Sequence, residues 1–292
     1  MSTISRAKVL VATAAVTLCM TACSSPAQPA TTPAAPQTPS GGPSIVAANL
    51  PTHTPGKLTI ATGQPAYSPW VEDDKPESGK GFESAVAYAV AEQLGFSKDD
   101  VVWARTTFDA AVTPGPKDWD LNIQQFSITD QRKKAVDFST PYYTTNQAIV
   151  ALTGSPAIGA KSLADLAGVN FGVQVGTTSL QAVTDIIKPT AQPKIFNSSD
   201  DVVAALRNKQ VEAIVVDLPT AFYLTSAEFD NGTIVGQLDS SAGGDDFGFV
   251  LPKGSPLTAP VSAAVDALRA NGTLAQLQQT WLSESTNVPV LK

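Results

Sequence analysis

Phe126-Ser-Ile-Thr-Asp-Gln-Arg-Lys-Lys-Ala-Val-Asp-Phe-Ser-Thr-Pro-Tyr-Tyr143 begins where the segment 121–126, Leu-Asn-Ile-Gln-Gln-Phe, gives way to a polar, charged turn. The segment predicts a strand that runs into Ser127. Ser127 fits the cap of the 129–132 turn. Arg132 opens a basic run with Lys133 and Lys134, and such runs are usually solvated. This unit is one beat of a wider rhythm. Before it, 57–61 alternates as a strand, and a turn at 79–81 leads into helix 82–94, which Gly95 stops. A strand at 101–104 and a short helix at 108–112 follow, closed by the turn Pro114-Gly-Pro.

After it, 147–152 reads as a strand and 163–166 as a short helix. Strand 170–175 turns through Gly176-Thr-Thr-Ser into helix 180–187. Strand 194–196 precedes helix 202–209, with Ser199 and Asp200 placed to cap it. Strand 213–216 ends at Asp217, and Pro219 takes a favoured place in the first turn of the next helix. Strands at 233–238 and 247–251 precede two terminal helices, 260–271 and 273–283, parted by Asn271-Gly272. Strands alternating with helices predict an α/β fold with largely parallel sheets. No strict short-period repeat is present.

With 292 residues, 43% hydrophobic and 15% charged, the chain holds enough apolar material for a sizeable core in one or two domains. The net charge of -7 excludes the electrostatic footprint of a nucleic-acid binder and a polybasic membrane patch. The only cysteines are Cys19 and Cys23, and the only histidine is His53. No Cys/His cluster exists to hold a metal, and nothing in the pattern calls for a cofactor.

The first 22 residues read as an export signal: Arg6 and Lys8, a short apolar run over 9–20, then Thr21-Ala22-Cys23. Small residues before a cysteine resemble the lipobox of bacterial lipoproteins, in which the cysteine is lipidated and becomes the first mature residue. Met20 departs from the usual Leu, Val or Ile, and an ordinary signal peptide with an incidental cysteine is the alternative. Cleavage before Cys23 removes Arg6 and Lys8 and leaves 17 basic against 26 acidic side chains, a net of -9. Residues 23–55 are rich in Pro, Ala, Thr and Ser and carry no charge, the composition of a disordered tether stiffened by its prolines.

Four stretches, in this order, resemble the periplasmic-type solute-binding proteins of polar amino-acid ABC transporters. Gly81-Phe-Glu-Ser-Ala-Val-Ala-Tyr resembles a helix start in which Glu83 replaces the usual Asp. The 126–143 stretch resembles the central signature. Leu163-Ala-Asp-Leu-Ala-Gly with Gly172-Val-Gln-Val-Gly-Thr-Thr-Ser resembles the entry to the second lobe, and 263–282 resembles the C-terminal helix pair. The similarity covers about 57–285. It implies a two-lobed, type II periplasmic-binding-protein fold with two hinge crossings and the ligand in the inter-lobe cleft. Lobe 1 is then 56–145 plus 251–292, and lobe 2 is 146–250.

The resemblance also implies a site. Arg132 matches the arginine that grips the ligand α-carboxylate, a task suited to a guanidinium fork. Ser127 matches a hydroxyl donor. Gly176 and Thr178 lie in the second-lobe turn that supplies the other half of the carboxylate site; a plain turn with threonine caps is the alternative. Asp217 matches the acid that pairs with the α-ammonium, and it also fits a helix cap before Pro219. Tyr67 and Trp70 are aromatic walls or core anchors. Gln125 replaces Ser or Gly and is a candidate specificity residue. Gln64 replaces an Asp that reads basic side chains, which disfavours them, while Glu72-Asp73-Asp74 nearby keeps that question open. The expected protein is not an enzyme. It is a monomeric lipoprotein outside the cytoplasm, tied to the cell membrane by lipid on Cys23, that captures a small polar solute, an amino acid above all, for an ABC permease. A sensory ligand-binding role and a dehydratase-like enzyme on the same fold are the alternatives; the latter lacks an evident pair of placed carboxylates.

Overall fold

The computed structural model describes residues 49–239, 244–282 and 288–292. These fall within one contact unit, Pro43–Lys292. The signal peptide, the lipobox with Cys23 and most of the expected tether lie outside the described residues.

The first lobe is built on β1 (Leu58–Thr62), α1 (Phe82–Gln93), β2 (Val101–Arg105), α2 (Phe108–Val112), β3 (Leu121–Asn122) and β4 (Asp137–Phe138). β5 (Tyr143–Thr145) leads out of it to β6 (Gln147–Leu152). The second lobe continues with β7 (Phe171–Gln174), α3 (Thr178–Gln181), β8 (Lys194–Phe196), α4 (Ser199–Arg207), β9 (Ala213–Asp217), α5 (Leu218–Tyr223) and β10 (Gly232–Leu238). β11 (Asp245–Phe247) and β12 (Val250–Leu251) bring the chain back to α6 (Thr258–Ala270) and α7 (Thr273–Trp281), and β13 (Val290–Leu291) ends it.

The first sheet has the order β2-β1-β3-β12-β4 and the second β13-β10-β6-β9-β7-β8. Only part of each is parallel. β12 runs antiparallel to β3 and β4, and β6 antiparallel to β9 and β10. Both exceptions are the first strands that follow a crossing between the lobes, so their direction is set by the hinge rather than by a helical crossover. The crossings lie side by side, because β5 and β11 pair antiparallel from Asp245↔Thr145 to Phe247↔Tyr143.

Periodicity explains the cores. On α1, Phe82, Val86 and Val90 meet Val261, Val265 and Leu268 of α6, over the first sheet. β6 is buried along its whole length. Ile149 and Ala151 join one face of the second sheet with Val183 and Val215, whereas Ala148 and Val150 join the other with Val202 and Leu224. Each fully buried Leu, Ile, Val or Phe contributes about 1.5–3 kcal/mol.

Several sequence expectations are corrected. The strand expected over 121–126 stops at Asn122, because Gln125 has φ 49° and gives its N–H to the Glu83 carboxylate instead of a ladder. The strand expected over 247–251 divides into β11 and β12, one in the hinge ladder and one in the first sheet. α4 is capped by Ser198, whose Oγ accepts from Asp201 N–H at 3.2 Å, and not by Ser199 or Asp200. The chain end does not stay in lobe 1: β13 pairs with β10 of the second sheet, where Leu291 is buried. Gly236 makes the room, since a Cβ there would sit 2.6 Å from Leu291 Cγ. The end of the expected tether is also part of the globule. Leu50 packs on the first core, and Asp120 accepts from His53 N–H at 2.6 Å and Thr59 N–H at 2.8 Å.

Candidate ligand-binding site

A cavity of about 380 Å³ lies between the two sheets. Both lobes reach into it from strand ends and the turns that follow them, where ligands collect in open α/β sheets.

Arg132 is turned inward while Lys133 and Lys134 stay exposed. The turn that carries it is capped by Thr129, whose Oγ1 accepts from Arg132 N–H at 3.2 Å, so Ser127 is free of that duty. The Arg132 guanidinium lies 5.2 Å from the centre of the Phe108 ring, which stacks in turn on Phe126. Its Nη1 donates to Ser127 O at 2.8 Å and its Nη2 to Gly176 O at 2.9 Å, one carbonyl from each lobe. Gly176 suits this approach: its φ is 73°, and a Cβ would lie 2.7 Å from Asp109 Oδ1. Burial draws the Arg132 pKa down from its ordinary value, and the carboxylates of Asp245, Asp217 and Asp109 oppose that.

Three more contacts span the cleft. Ser127 Oγ lies 3.2 Å from Thr178 Oγ1. Trp70 Nε1–H donates to Thr220 Oγ1 at 2.9 Å. Tyr67 faces Asp200; burial first, then that carboxylate, pushes the phenol above its usual range. The lobes are therefore closed on one another, with hydrogen bonds along both walls of the cleft. In the second-lobe turn Thr177 does the capping, accepting from Leu180 N–H at 3.2 Å, which leaves the Thr178 hydroxyl for the site.

Asp217 does not cap the helix after it. Its Oδ1 accepts from Gln147 Nε2 at 2.6 Å, and the same nitrogen donates to Asp245 Oδ2 at 2.7 Å. Ser179 Oγ orients this amide by donating to its Oε1 at 2.6 Å, and Thr178 Oγ1 donates to Asp245 Oδ2 at 3.0 Å. Burial, then the charge of Asp245, pushes the Asp217 pKa up to about 8. The sequence reading found no placed pair of carboxylates; the tertiary structure makes one by bringing the end of β9 beside the hinge strand β11.

Under the cleft floor, Glu83 is fully buried. Its Oε1 accepts from Gln125 N–H at 2.7 Å and from the Tyr142 hydroxyl, and its Oε2 accepts from Gln125 Nε2. Burial raises the Glu83 pKa to about 7 against the lowering effect of those bonds. Gln125 lines the cavity from a left-handed backbone, a conformation costing about 1–2 kcal/mol for a residue with a Cβ.

Of the residues singled out in the sequence, Arg132, Asp217, Ser127, Thr178, Tyr67, Gln125 and Trp70 line this cavity, and Gly176 touches it through Arg132. Gln64 does not: it is exposed, and the loop turns so that Ala66 N–H reaches Asp74 Oδ1 at 2.8 Å. Asp74 is further engaged by Arg105, so this part of the acidic cluster supports the loop rather than facing the cavity. Asp245, Gln147, Thr220, Asp200 and Phe108 were missed. Gln147 opens an otherwise apolar strand, and that polar intrusion was the one legible signal among them.

Residues 58–284 match the family described as "Bacterial extracellular solute-binding proteins, family 3". The chain belongs to that family. It is 30% identical over 243 residues to the L-arginine-binding protein of Pseudomonas aeruginosa, covering 80% of this chain and 92% of that one. It is 31% identical over 201 residues to the probable histidine-binding protein of Campylobacter jejuni, covering 67% of this chain and 73% of that one. Among solved structures, an ancestral arginine-binding protein bound to arginine superposes with a TM-score of 0.65 at 31% identity, covering 78% of this chain and 99% of that one. This solute-binding protein thus has the two-lobed, type II architecture that its motifs implied, with capture and delivery of a solute as its function. The family is extracellular, and among the described residues no helix is long and apolar enough to cross a membrane.

Proposed function

We propose that this protein captures an α-amino acid in the inter-lobe cavity and presents it, closed, to an ABC permease. The observation that carries the reading is the pairing of opposite charges in one closed cleft. Arg132, with the Ser127 and Thr178 hydroxyls, offers donors for a carboxylate; Asp217, steered by Gln147, offers an acceptor for an ammonium. Donors and acceptors come from both lobes, so a zwitterion spanning them stabilises the closed state more than the open one, which closure requires. The carboxylates near the cavity accept hydrogen bonds from fixed neighbours, an arrangement for holding a ligand rather than for moving its protons, and the relatives are named as binding proteins. Lipid on Cys23 would keep a monomer at the membrane beside the permease.

The test is a thermal-shift screen of residues 49–292 against the L-amino acids, small carboxylates and sugars. A ligand at one hundred times its Kd stabilises the fold by about 2.7 kcal/mol. A shift with one or a few amino acids that disappears in Arg132→Ala supports the reading. A shift only with sugars or with acids lacking an amino group refutes it.

A further inference from the structure

We propose that Glu83 is a positioning residue for ligand capture, which turns the Gln125 side chain so that its carbonyl, and not its NH2 group, faces the cleft as an acceptor for the ligand's ammonium. The inference rests on the reading that the ligand is an α-amino acid.

A carboxamide has two nearly isosteric ends, and a half-turn exchanges donor for acceptor. At a cavity wall that half-turn inverts what the protein recognises. The Gln125 side chain is not left to choose. Glu83, fully buried in the first turn of α1, accepts from both the backbone N–H and Nε2 of Gln125. Above pH ~7, the value to which burial raises its pKa, Glu83 is ionised and only accepts, so it takes the NH2 end and leaves Oε1 on the other side. Among the described residues Gln125 Oε1 accepts no hydrogen bond, and Gln125 lines the cavity. The same carboxylate holds the left-handed backbone of Gln125, because the N–H it accepts is the one missing from the strand ladder.

Three groups face Glu83: the Gln125 amide, the Tyr142 hydroxyl, which also donates to it, and, across the cleft, Asp217, whose proton affinity the Glu83 charge raises. A ligand ammonium beside Asp217 has three N–H donors. Asp217 takes one or two, and the outward carbonyl of Gln125 suits another. An α-hydroxyl has one donor and makes less of this second acceptor; a carboxylate placed there is repelled. Glu83 thus sets the preference for amine over hydroxyl without touching the ligand.

The perturbation that separates this from a structural role is Glu83→Gln. The amide introduced at position 83 would bring its own NH2 to face Gln125, which restores its hydrogen bond by turning its carbonyl inward and its NH2 toward the cleft. The double variant Glu83→Gln/Gln125→Glu returns an acceptor to the cleft wall. There the new amide at position 83 donates to one oxygen of the new carboxylate at position 125 and leaves the other outward. Affinities are measured by calorimetry for L-arginine, L-histidine and L-glutamine, each beside its 2-hydroxy-acid counterpart. Glu83→Gln should weaken the amino acid about tenfold or more and the hydroxy acid much less, the loss of one charge-assisted hydrogen bond. The double variant should restore the preference for the amine. Equal weakening of both ligands, or of neither, overturns the proposal. If Glu83→Gln does not fold, Gln125→Leu removes the carbonyl with Glu83 in place and must lower the same ratio. In the ligand-free protein, the Gln125 side-chain amide protons, assigned by their loss in Gln125→Leu, should exchange slowly with water. Fast exchange refutes the bond to Glu83. Binding of none of the three amino acids refutes the amino-acid reading instead, and the amide signals then decide the Glu83 role alone.

Discussion

Asp217→Asn separates two demands on one residue, because the charge that holds a ligand ammonium burdens the empty cleft. Burial and the neighbouring Asp245 push the Asp217 pKa to about 8 in the folded protein, whereas an unfolded chain releases this proton near about 3.9. Below pH ~4 the carboxyl is protonated in both states and its contribution to stability is fully present. From there to pH ~8 only the unfolded state has lost the proton, so stability falls by up to about 1.4 kcal/mol per pH unit. Above pH ~8 the curve is flat again. Relaxation of the site reduces the summed effect, and about 2–4 kcal/mol is the working magnitude. Glu83, raised to about 7 chiefly by burial, acts in the same sense over a narrower window and persists in the variant. Asparagine keeps an Oδ1 for the Gln147 bond and carries no charge. The ligand-free variant should therefore match the wild type at pH 4 and exceed it at pH 8–9, by about 5–10 °C in Tm for a protein of this size. Calorimetric melts of residues 49–292 from pH 4 to 9 read this directly, and binding of whichever amino acid stabilises the wild type should weaken in the same variant. Parallel melting curves for the two proteins would refute the argument.

Arg132→Ala should abolish amino-acid binding while the protein still folds, with a loss of about 1–3 kcal/mol for the two carbonyl bonds; retained affinity in calorimetry removes the carboxylate-clamp assignment. Arg132→Lys keeps the charge but not the fork, and its Kd should rise about tenfold or more. Trp70→Phe keeps the ring among Phe82, Tyr143 and Phe247 but loses the bond to Thr220. It should favour the open state by about 1 kcal/mol, seen as a larger radius of gyration in solution scattering; an unchanged scattering curve counts against that latch. Cys23→Ala should release the protein from the membrane fraction, and palmitate labelling that survives the substitution would contradict the lipobox.

Strand and helix positions were legible wherever a local period stated them. The 147–152 and 194–196 strands and the 108–112 helix stand where the apolar pattern placed them. Failures came where a distant partner overrode the local pattern. The segment 121–126 could not announce that Glu83, some forty positions earlier, would claim the Gln125 N–H and end the strand. Nor could the last residues announce that Gly236 leaves a slot for Leu291 in the other lobe.

The sequence by itself determined the family, the closing two-lobed fold and the stretches that reach the cleft, because these depend on residue type in order along the chain. The state of the site was decided only by tertiary structure. Asp217, Asp245 and Gln147 are scattered over three strands, and their shared hydrogen bonds exist only once β6, β9 and β11 meet at the hinge. Proton affinity and amide orientation follow from burial and from which neighbour lies within about 3 Å, and neither quantity is carried by the order of residues.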